Sequence, residues 1–267
     1  MERAAFFFDF DGTLYSHAKK SVPASARAAL FHLAEQGHFL AVATGRSFAD
    51  IGFISKELAV PIDYMIVLNG QQIYHKGQLT NESFIQLASM EKIIQTACEN
   101  NIAYGGYGAA GLMVNCLNPR VEAVWREFNS GLPVILDEFE KKHQLYHGHL
   151  YATEEEMPQF ASFLGDYVTN RPHEYLINLI DSRAGKSRAI RILLEEQGIP
   201  KERAWAFGDG FNDIDMLQAV GHPVAMGDAD ENLRAVAELV TGRAEENGIA
   251  EALAEYGFFA AIDTDKR

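Results

Sequence analysis

Residues 4–14 read AAFFFDFDGTL, an apolar run that ends in two aspartates and a glycine. Five consecutive apolar residues are typical of a short strand that is buried on both faces of a parallel sheet. Asp9 stands directly after this run, Asp11 follows two residues later, and Gly12 and Thr13 allow the chain to turn sharply. The stretch therefore predicts a buried strand with two carboxylates at its carboxyl end.

The same alternation of strand and helix signals continues along the first segment and returns near the end of the chain. The first segment has predicted helices from Pro23 to Gly37 and over 47–58, with strands over 38–43 and 64–68. The last segment has predicted helices over 186–197, 212–219 and 230–238, with strands over 203–207 and 223–226. Strands that alternate with helices imply a parallel sheet covered on both faces.

The segment between them has a different pattern. Its predicted helices cover 89–100, 119–129 and 154–164, and its strand-like runs cover 102–107, 111–117, 146–151 and 174–180. Paired strands next to helices indicate a separate α+β module. We therefore expect a core formed by residues 1–81 and 182–267 and an inserted module formed by residues 82–181.

The charge balance limits the classes of partner. Acidic residues outnumber basic ones by 37 to 23 in 267 residues, which gives a formal net charge of −14. No run of lysine or arginine could follow a nucleic acid backbone, so we expect no nucleic acid partner. The net charge also repels anionic substrates, and a phosphate site would therefore need local cations and a metal ion.

Because the sequence shows no targeting signal and only two cysteines, we expect a cytoplasmic protein. The apolar run near the start is too short for a signal peptide or a membrane span, so we expect no membrane partner. Cys98 and Cys116 lack the spacing of any motif, and we expect both to be reduced, buried thiols. We expect a monomer or a homodimer.

Polar residues at the ends of the predicted strands are the candidates for a site. In an open parallel sheet, ligands bind beyond the carboxyl ends of the strands. The residues found there are Asp9, Asp11, Thr44, Asn69, Asp209 and Asp213, and Lys186 begins the helix that returns to the core. Carboxylates, one lysine and a divalent cation are what phosphoryl transfer needs, because it depends on positioning and charge neutralisation.

Individual roles follow from the residue types. Asp9 can attack phosphorus and form an aspartyl-phosphate, which divides one displacement into two easier steps. Asp11 can protonate the leaving oxygen and then deprotonate the attacking water. Magnesium prefers oxygen ligands and keeps some of its water, so Asp9, Asp209 and one backbone carbonyl form a suitable set.

Four ordered motifs carry a family resemblance. They are DFDGTL at 9–14, TGR at 44–46, Lys186 and GDGFND at 208–213, with further matches in NG at 69–70, VAMG at 224–227 and NGIA at 247–250. This set resembles the haloacid dehalogenase superfamily, and the inserted module resembles the cap of its Cof-type, class IIB, subfamily. The resemblance covers nearly the whole chain. It implies an α/β fold with a Rossmann-like, doubly wound parallel sheet, an inserted α+β cap domain that selects the substrate, and a Mg²⁺ cofactor.

The resemblance also implies roles for single residues. Asp9 would be the nucleophile, Asp11 the general acid/base, and Thr44 and Lys186 would hold the phosphoryl group. The implied metal site consists of Asp9, the backbone carbonyl of Asp11, Asp209 and Asp213. Asp213 would either hold a metal-bound water or orient Lys186. The implied substrate contacts are Gly45, Arg46, Asn69, Gly70 and Asn212. Two departures concern the fine geometry: Ser187 stands where the subfamily usually has glycine, and Asp228 where asparagine is common.

The sequence leaves the reaction's acceptor and the substrate open. The preferred interpretation is a phosphatase for small phosphorylated metabolites such as sugar phosphates. A phosphomutase or phosphotransferase would use the same residues with a second acceptor in place of water. A phospho-accepting signalling domain also uses an aspartate, a threonine and a lysine, but Asp11 argues against it because a switch needs a lasting aspartyl-phosphate. Tyr104, Tyr107, Arg120 and the histidines of the inserted module are unranked candidates for selecting the substrate.

Overall fold

A computed structural model describes residues 2–129 and 131–259 of the chain. The chain divides into two compact units. One unit combines the residues up to Glu82 with those from Gly185 onward, and the other is Ser83–Ala184. Among the described residues, no helix is both long enough and apolar enough to cross a membrane.

The described residues of the first part of the first unit form two α-helices and five strands. The helices are Ala24–Glu35 (α1) and Ile51–Leu58 (α2), and the strands are Ala5–Phe8 (β1), Phe39–Ala43 (β2), Tyr64–Val67 (β3), Gln72–His75 (β4) and Gln78–Glu82 (β5). The side chains of β1 and β2 are buried throughout, as expected for strands covered on both faces.

The second unit alternates helices with paired strands. Its α-helices are Leu87–Glu99 (α3), Pro119–Glu127 (α4) and Phe139–Lys142 (α5), and its strands are Tyr104–Gly108 (β6), Gly111–Val114 (β7), Val134–Ile135 (β8), Leu145–Leu150 (β9), Tyr167–His173 (β10) and Leu176–Asp181 (β11). They form a six-stranded sheet in the order β10-β11-β9-β6-β7-β8, which is antiparallel except for the pair β7 and β8. This unit has its own apolar core, with Met90, Phe139 and Phe160 among its buried members.

The chain then returns to the first unit and completes its sheet. The elements are Lys186–Gln197 (α6), Ala204–Gly208 (β12), Ile214–Gln218 (α7), His222–Ala225 (β13), Glu231–Val236 (α8), Leu239–Val240 (β14) and Gly248–Glu255 (α9). The eight strands have the order β14-β13-β12-β1-β2-β3-β4-β5. Every pair from β14 to β3 is parallel, which confirms the predicted α/β fold class. β1 lies between β12 and β2, so Asp9 stands near the middle of the sheet's carboxyl edge.

Several elements differ from the predictions. Residues 154–164 were expected to form an α-helix, but Glu154–Phe163 is a 3₁₀ helix that contains Pro158, which lacks the N–H of an α-helical hydrogen bond. The helix expected over 230–238 ends at Val236, and its last two predicted residues lead into β14. The β4–β5 hairpin had no prediction, because β5 is mostly exposed and lacks an apolar face. Lys76 and Gly77 both have positive φ at its two-residue turn, as a tight hairpin requires.

The expectation of buried thiols was wrong. Cys98 and Cys116 are both free and exposed in the second unit. Cys98 lies in the last turn of α3 and is not among the buried residues of that helix, which are Met90, Ile93 and Ala97. The spacing of the apolar residues in α3, rather than the average preference of cysteine for burial, decides where this side chain points.

Candidate active site

The carboxylate of Asp9 lies at the end of the central strand and is nearly buried, with 5% of its surface exposed. The backbone N–H of Asp9 donates to the carbonyl of Phe207 at 2.9 Å, which continues the pairing of β1 with β12. The chain then turns at Gly12, whose φ is +84°. The strand therefore delivers one carboxylate into the interior, and the turn directs the following residues along the sheet edge.

Lys186, the first residue of α6, is fully buried and pairs with two carboxylates. Its Nζ lies 2.5 Å from Asp9 Oδ1 and 2.6 Å from Asp213 Oδ1. Burial alone would lower the pKa of Lys186, but the charges of Asp213 and Asp9 outweigh burial and raise it. The lysine therefore stays charged and links β1 to the turn that follows β12.

Asp213 is held by backbone groups as well as by the lysine. Its Oδ2 accepts hydrogen bonds from the N–H groups of Asp209 at 3.1 Å and Gly210 at 3.0 Å. Gly208 leaves the space that this side chain fills, because a Cβ at that position would lie 2.6 Å from the Cβ of Asp213. The 3₁₀ helix Phe211–Asp213 carries the carboxylate back toward the end of β12.

Asp9, Asp209 and Asp213 form a carboxylate cluster. Each offers an oxygen, and these oxygens lie within 4.8 Å of one another. Burial, and next the charge of Asp213, raise the pKa of Asp209 to about 6, although a hydrogen bond from the Thr13 hydroxyl to its Oδ1 at 2.9 Å opposes the shift. The pKa of Asp9 is raised by the same two causes, burial first. Three crowded acidic groups with oxygen donors suit a hard divalent cation, which would relieve their mutual repulsion.

The Asp11 side chain lies outside this cluster and pairs with Arg46. The guanidinium donates to both carboxylate oxygens, Nε to Oδ2 and Nη2 to Oδ1, each at 2.7 Å. The guanidinium carbon also lies 5.3 Å from the ring centre of Phe10 and 5.1 Å from that of Phe53. The hydrogen bonds to Asp11 are the main cause of the raised pKa of Arg46. A two-pronged pair between aromatic rings fixes the orientation of both side chains.

The loops after β2 and β3 lie close to each other at the same edge of the sheet, beside Asp9 and Asp11. The Thr44 hydroxyl accepts a hydrogen bond from the backbone N–H of Arg46 at 3.1 Å, and the Thr44 carbonyl accepts one from the N–H of Asn69 at 3.0 Å. Asn69 adopts a left-handed conformation with φ 53°, and its Oδ1 accepts from the side-chain amide of Asn212 at 3.1 Å. Gly45 faces Asn69, and a Cβ there would lie 3.2 Å from that same Oδ1.

A pocket of about 310 Å³ opens among these groups. It is lined by Asp9, Asp11, Thr44, Gly45, Arg46, Asp209, Gly210 and Asn212. Seven of these eight residues belong to the set predicted from the sequence. Of the remaining predicted residues, Lys186 and Asp213 are buried next to Asp9, Asn69 supports Asn212, and Gly70 is buried and does not line the pocket.

The sequence prediction missed three residues that shape the site. Gly210 lines the pocket, and Thr13 bonds to Asp209. Asp215, in the first turn of α7, accepts a hydrogen bond from the backbone N–H of Ser187 at 2.9 Å. A Cβ on Gly185 would lie 2.1 Å from Asp215 Oδ2, so glycine before Lys186 leaves room for this carboxylate. Gly210 and Thr13 lie inside the quoted motifs, whereas no spacing in the sequence pointed to Asp215.

The second unit contains the residues proposed to select the substrate. Arg120 donates to both oxygens of Glu156, at 2.6 and 3.1 Å, and Tyr104 is buried beside Glu140. His149 is buried, and burial, with a smaller effect from His147, lowers its pKa to about 3. Tyr107 and His147 are only half-buried. Tyr104 and His149 therefore contribute to the interior of this unit, whereas the Arg120 side chain is only partly buried.

The fold, the ordered motifs and the carboxylate cluster together define a class of protein. A family model for haloacid dehalogenase-like hydrolases matches residues 6–253. The chain is 29% identical over 258 residues to the Bacillus subtilis (strain 168) protein named "Putative phosphatase YkrA", covering 96% of this chain and 99% of that one.

Two solved structures share the whole fold. BT1666, described as a phosphatase of the same superfamily from Bacteroides thetaiotaomicron, is 28% identical, with a TM-score of 0.83 and 96% of each chain covered. The class IIB sugar phosphatase BT4131 is 25% identical, with a TM-score of 0.77, covering 96% of this chain and all of that one. The chain belongs to the haloacid dehalogenase-like hydrolases, as the motifs predicted, and is a phosphoric monoester hydrolase.

Gly12→Ala tests whether the turn after β1 sets the position of Asp209. An added Cβ would lie 2.1 Å from Asp209 Oδ2, so the carboxylate must move. We expect kcat/KM for an aryl phosphate to fall roughly 100-fold or more, since ångström-scale displacement of a site group has effects of that order.

Gly37→Ala is the matched control for this substitution. Gly37 has φ +78° with nothing within 4 Å of an added Cβ, so the change should cost about 1 kcal/mol of stability and leave turnover intact. Comparable activity losses in the two variants would contradict the role of Gly12. Urea unfolding and initial-rate assays on both variants give the comparison.

Proposed function

We propose that this protein is a magnesium-dependent phosphatase that hydrolyses small phosphorylated metabolites, such as sugar phosphates, through an aspartyl-phosphate on Asp9. The main support is the contact of Asp9 with the buried Lys186 ammonium at 2.5 Å, beside two further carboxylates. An aspartate held against a cation beside an open pocket can approach an anionic phosphoryl group without the full repulsion between like charges.

In the first step, a carboxylate oxygen of Asp9 attacks phosphorus and the bond from phosphorus to the leaving oxygen breaks. Lys186, Thr44 and Asn212 bind the phosphoryl oxygens, and Gly45 allows the backbone to approach them closely. Asp11, which lines the same pocket, donates a proton to the leaving oxygen. Arg46 holds the Asp11 carboxyl through two hydrogen bonds of 2.7 Å and so fixes its direction.

In the second step, Asp11 takes a proton from a water molecule, which attacks phosphorus and releases inorganic phosphate. The bond between phosphorus and Asp9 breaks, and the free carboxylate returns. Asp11 therefore serves as acid and then as base within one cycle. This exchange explains why two aspartates, two residues apart, are needed at the end of β1.

The carboxylate cluster would hold the magnesium ion. Asp9, Asp209 and the backbone carbonyl of Asp11 would be direct ligands, and Asp213 would act through a bound water while it orients Lys186. A bound Mg²⁺ would neutralise charge on the transferring phosphoryl group. Burial, and next the repulsion from Asp213, raise the pKa of Asp209 and of Asp9, and this cost of keeping both groups charged supports the need for this cation.

The size of the pocket supports a small substrate. A volume of about 310 Å³ is at the low end for ligand sites. We propose that it holds the phosphoryl group and that the second unit selects the leaving group. Tyr107 and His147 are candidates there, because both are partly accessible. A panel of phosphorylated metabolites, assayed for released phosphate and for transfer to added alcohols, would identify the substrate and separate hydrolysis from transfer.

Asp9→Asn tests the nucleophile. We expect release of phosphate from an aryl phosphate to fall roughly a thousand-fold or more, because the amide cannot form the covalent intermediate. The circular dichroism spectrum should be unchanged, since an asparagine oxygen can still accept a hydrogen bond from Lys186. Near-normal turnover by purified Asp9→Asn protein would refute the assignment.

Asp11→Asn tests the acid/base. Loss of general acid–base catalysis should slow turnover roughly 100- to 10,000-fold for substrates with poor leaving groups, and less for a nitrophenyl ester, which needs little protonation. Because the second step also needs the base, the aspartyl-phosphate should accumulate and be found on Asp9 by acid quenching and peptide mass spectrometry. Equal losses with both substrates and no trapped intermediate would argue against this role.

Thermal unfolding with and without Mg²⁺ tests the cofactor. Without the metal, the pKa of Asp209 is raised to about 6 in the folded protein, above its value near 3.9 in the unfolded chain. Protonated Asp209 therefore stabilises the fold fully below a pH of about 3.9, and this contribution is lost as the pH rises through about 6. Mg²⁺ competes with the proton. We therefore expect Mg²⁺ to raise Tm more at pH 7.5 than at pH 5.

Asp209→Asn provides the control for the metal experiment. This variant keeps the shape of the side chain but removes one charged ligand, so its Tm should respond little to Mg²⁺ at either pH. A wild-type Tm that is indifferent to Mg²⁺, or a full response by the variant, would contradict the proposed metal site.

A further inference from the structure

Asp215, in the first turn of α7, takes no part in the proposed reaction, yet it is bound to the segment that carries Lys186. Its Oδ2 accepts a hydrogen bond from the backbone N–H of Ser187 at 2.9 Å. Ser187 is the second residue of α6 and follows Lys186 directly. The first N–H groups of a helix have no partner within the helix, so a carboxylate that accepts from one of them stabilises the first turn.

Two hydrogen bonds therefore join the same two segments of the chain. Lys186 Nζ donates to Asp213 Oδ1 at 2.6 Å, and the N–H of Ser187 donates to Asp215, two residues further along. One of these bonds comes from a side chain and the other from the backbone. A single bond would leave the first turn of α6 free to rotate about it, whereas two bonds fix this turn against the start of α7.

The apolar contacts between the two helices do not fix this geometry. Ala189 and Ile190 of α6 belong to the same buried cluster as Met216 and Leu217 of α7. Apolar contacts are non-directional, so they hold the helices together without setting the direction of a single N–H or ammonium group. A hydrogen bond is directional, and the bond to Asp215 therefore supplies what packing lacks.

Gly185, the residue before Lys186, leaves the space that the Asp215 carboxylate fills. A Cβ at position 185 would lie 2.1 Å from Asp215 Oδ2 and 3.1 Å from its Cγ. The backbone conformation does not require glycine, because the φ of Gly185 is −57°, a value that residues with a side chain adopt freely. Space for Asp215 is therefore the requirement that this glycine meets.

The position of Lys186 tolerates little displacement. Its ammonium is fully buried and lies 2.5 Å from Asp9 Oδ1. A buried ammonium that moves away from its carboxylate partners is costly. Displacement of a reacting or binding group by about 1 Å lowers rates by a factor on the order of 100. A contact that holds the backbone next to Lys186 should therefore affect turnover.

We propose that Asp215 is a positioning residue that holds the first turn of α6, so that the Lys186 ammonium meets both Asp9 and the phosphoryl group. This inference rests on the proposed function of Lys186 in phosphoryl transfer. Asp215 does not line the pocket around Asp9, and its effect therefore passes through the backbone of Ser187.

A double-substitution cycle tests the proposal. Asp215→Ala removes the acceptor, and we expect kcat for an aryl phosphate to fall roughly tenfold or more with a smaller change in KM, because Lys186 acts on the transferring phosphoryl group. Gly185→Ala displaces the carboxylate and should cause a similar loss. In the Asp215→Ala background no carboxylate remains to be displaced, so adding Gly185→Ala should cost less than about twofold.

Two further variants are the controls. Asp230 caps α8 in the same unit by accepting from the N–H groups of Asn232 at 2.8 Å and Leu233 at 2.9 Å. Asp230→Ala should lower Tm about as much as Asp215→Ala does and leave kcat unchanged, because it also removes a helix cap. Asp215→Asn keeps an oxygen that accepts from Ser187 and should retain most of kcat.

The outcomes separate this proposal from the proposed function. Unchanged kcat in Gly185→Ala, or a tenfold loss on adding Gly185→Ala to Asp215→Ala, would overturn the role of Asp215. If Asp215→Ala is unfolded by circular dichroism, Gly185→Ala alone decides.

The ¹⁵N NMR signal of the Lys186 ammonium provides a measurement that does not depend on turnover. Its hydrogens should exchange slowly with water in the wild type and faster in Gly185→Ala. Equal exchange would count against the positioning role, whereas a wild type that hydrolyses no phosphate ester would refute the proposed function instead.

Discussion

The buried ammonium of Lys186 is the group on which the rest of the candidate site depends. Removing an ammonium from water is costly unless charged partners surround it, and here Asp9 and Asp213 lie at 2.5 and 2.6 Å. These partners come from β1 and from the turn after β12, separated in sequence by the whole second unit. The parallel order β12-β1-β2 brings them together, so the topology of the sheet and the stability of this ion pair depend on each other.

The charge balance of the site follows from this pair. Three carboxylates share one lysine, so an excess of negative charge remains at the edge of a chain that already carries a net charge of −14. An anionic substrate could not approach such a cluster without further positive charge. A divalent cation supplies that charge in our proposal, while Arg46 is engaged with Asp11. The electrostatics therefore favour a metal-assisted reaction over one that relies on basic side chains alone.

Backbone conformation fixes the remaining geometry. Gly12 turns with positive φ beside Asp209, and Gly208 leaves space for Asp213. Asp215 caps the start of α6 and so holds the backbone next to Lys186. At Gly12, Gly208 and Gly185, a carboxylate lies close against the backbone. A larger side chain at any of these glycines would displace that carboxylate. The motifs thus specify the path of the chain as well as the charged groups.

The sequence by itself determined the buried parallel strands of the core, the helices that connect them and the residues that gather at the sheet edge. A buried strand requires a continuous apolar run, and the carboxyl ends of parallel strands meet at one edge, so AAFFF and its aspartates carried enough information. The β4–β5 hairpin, the pairing of Arg46 with Asp11, the cap formed by Asp215 and the exposure of Cys98 were decided only by the tertiary structure. An edge strand needs no apolar face, and an ion pair or a cap depends on which distant segments meet. The local spacing of residues does not encode these contacts between distant segments, because they result from the packing of the whole unit.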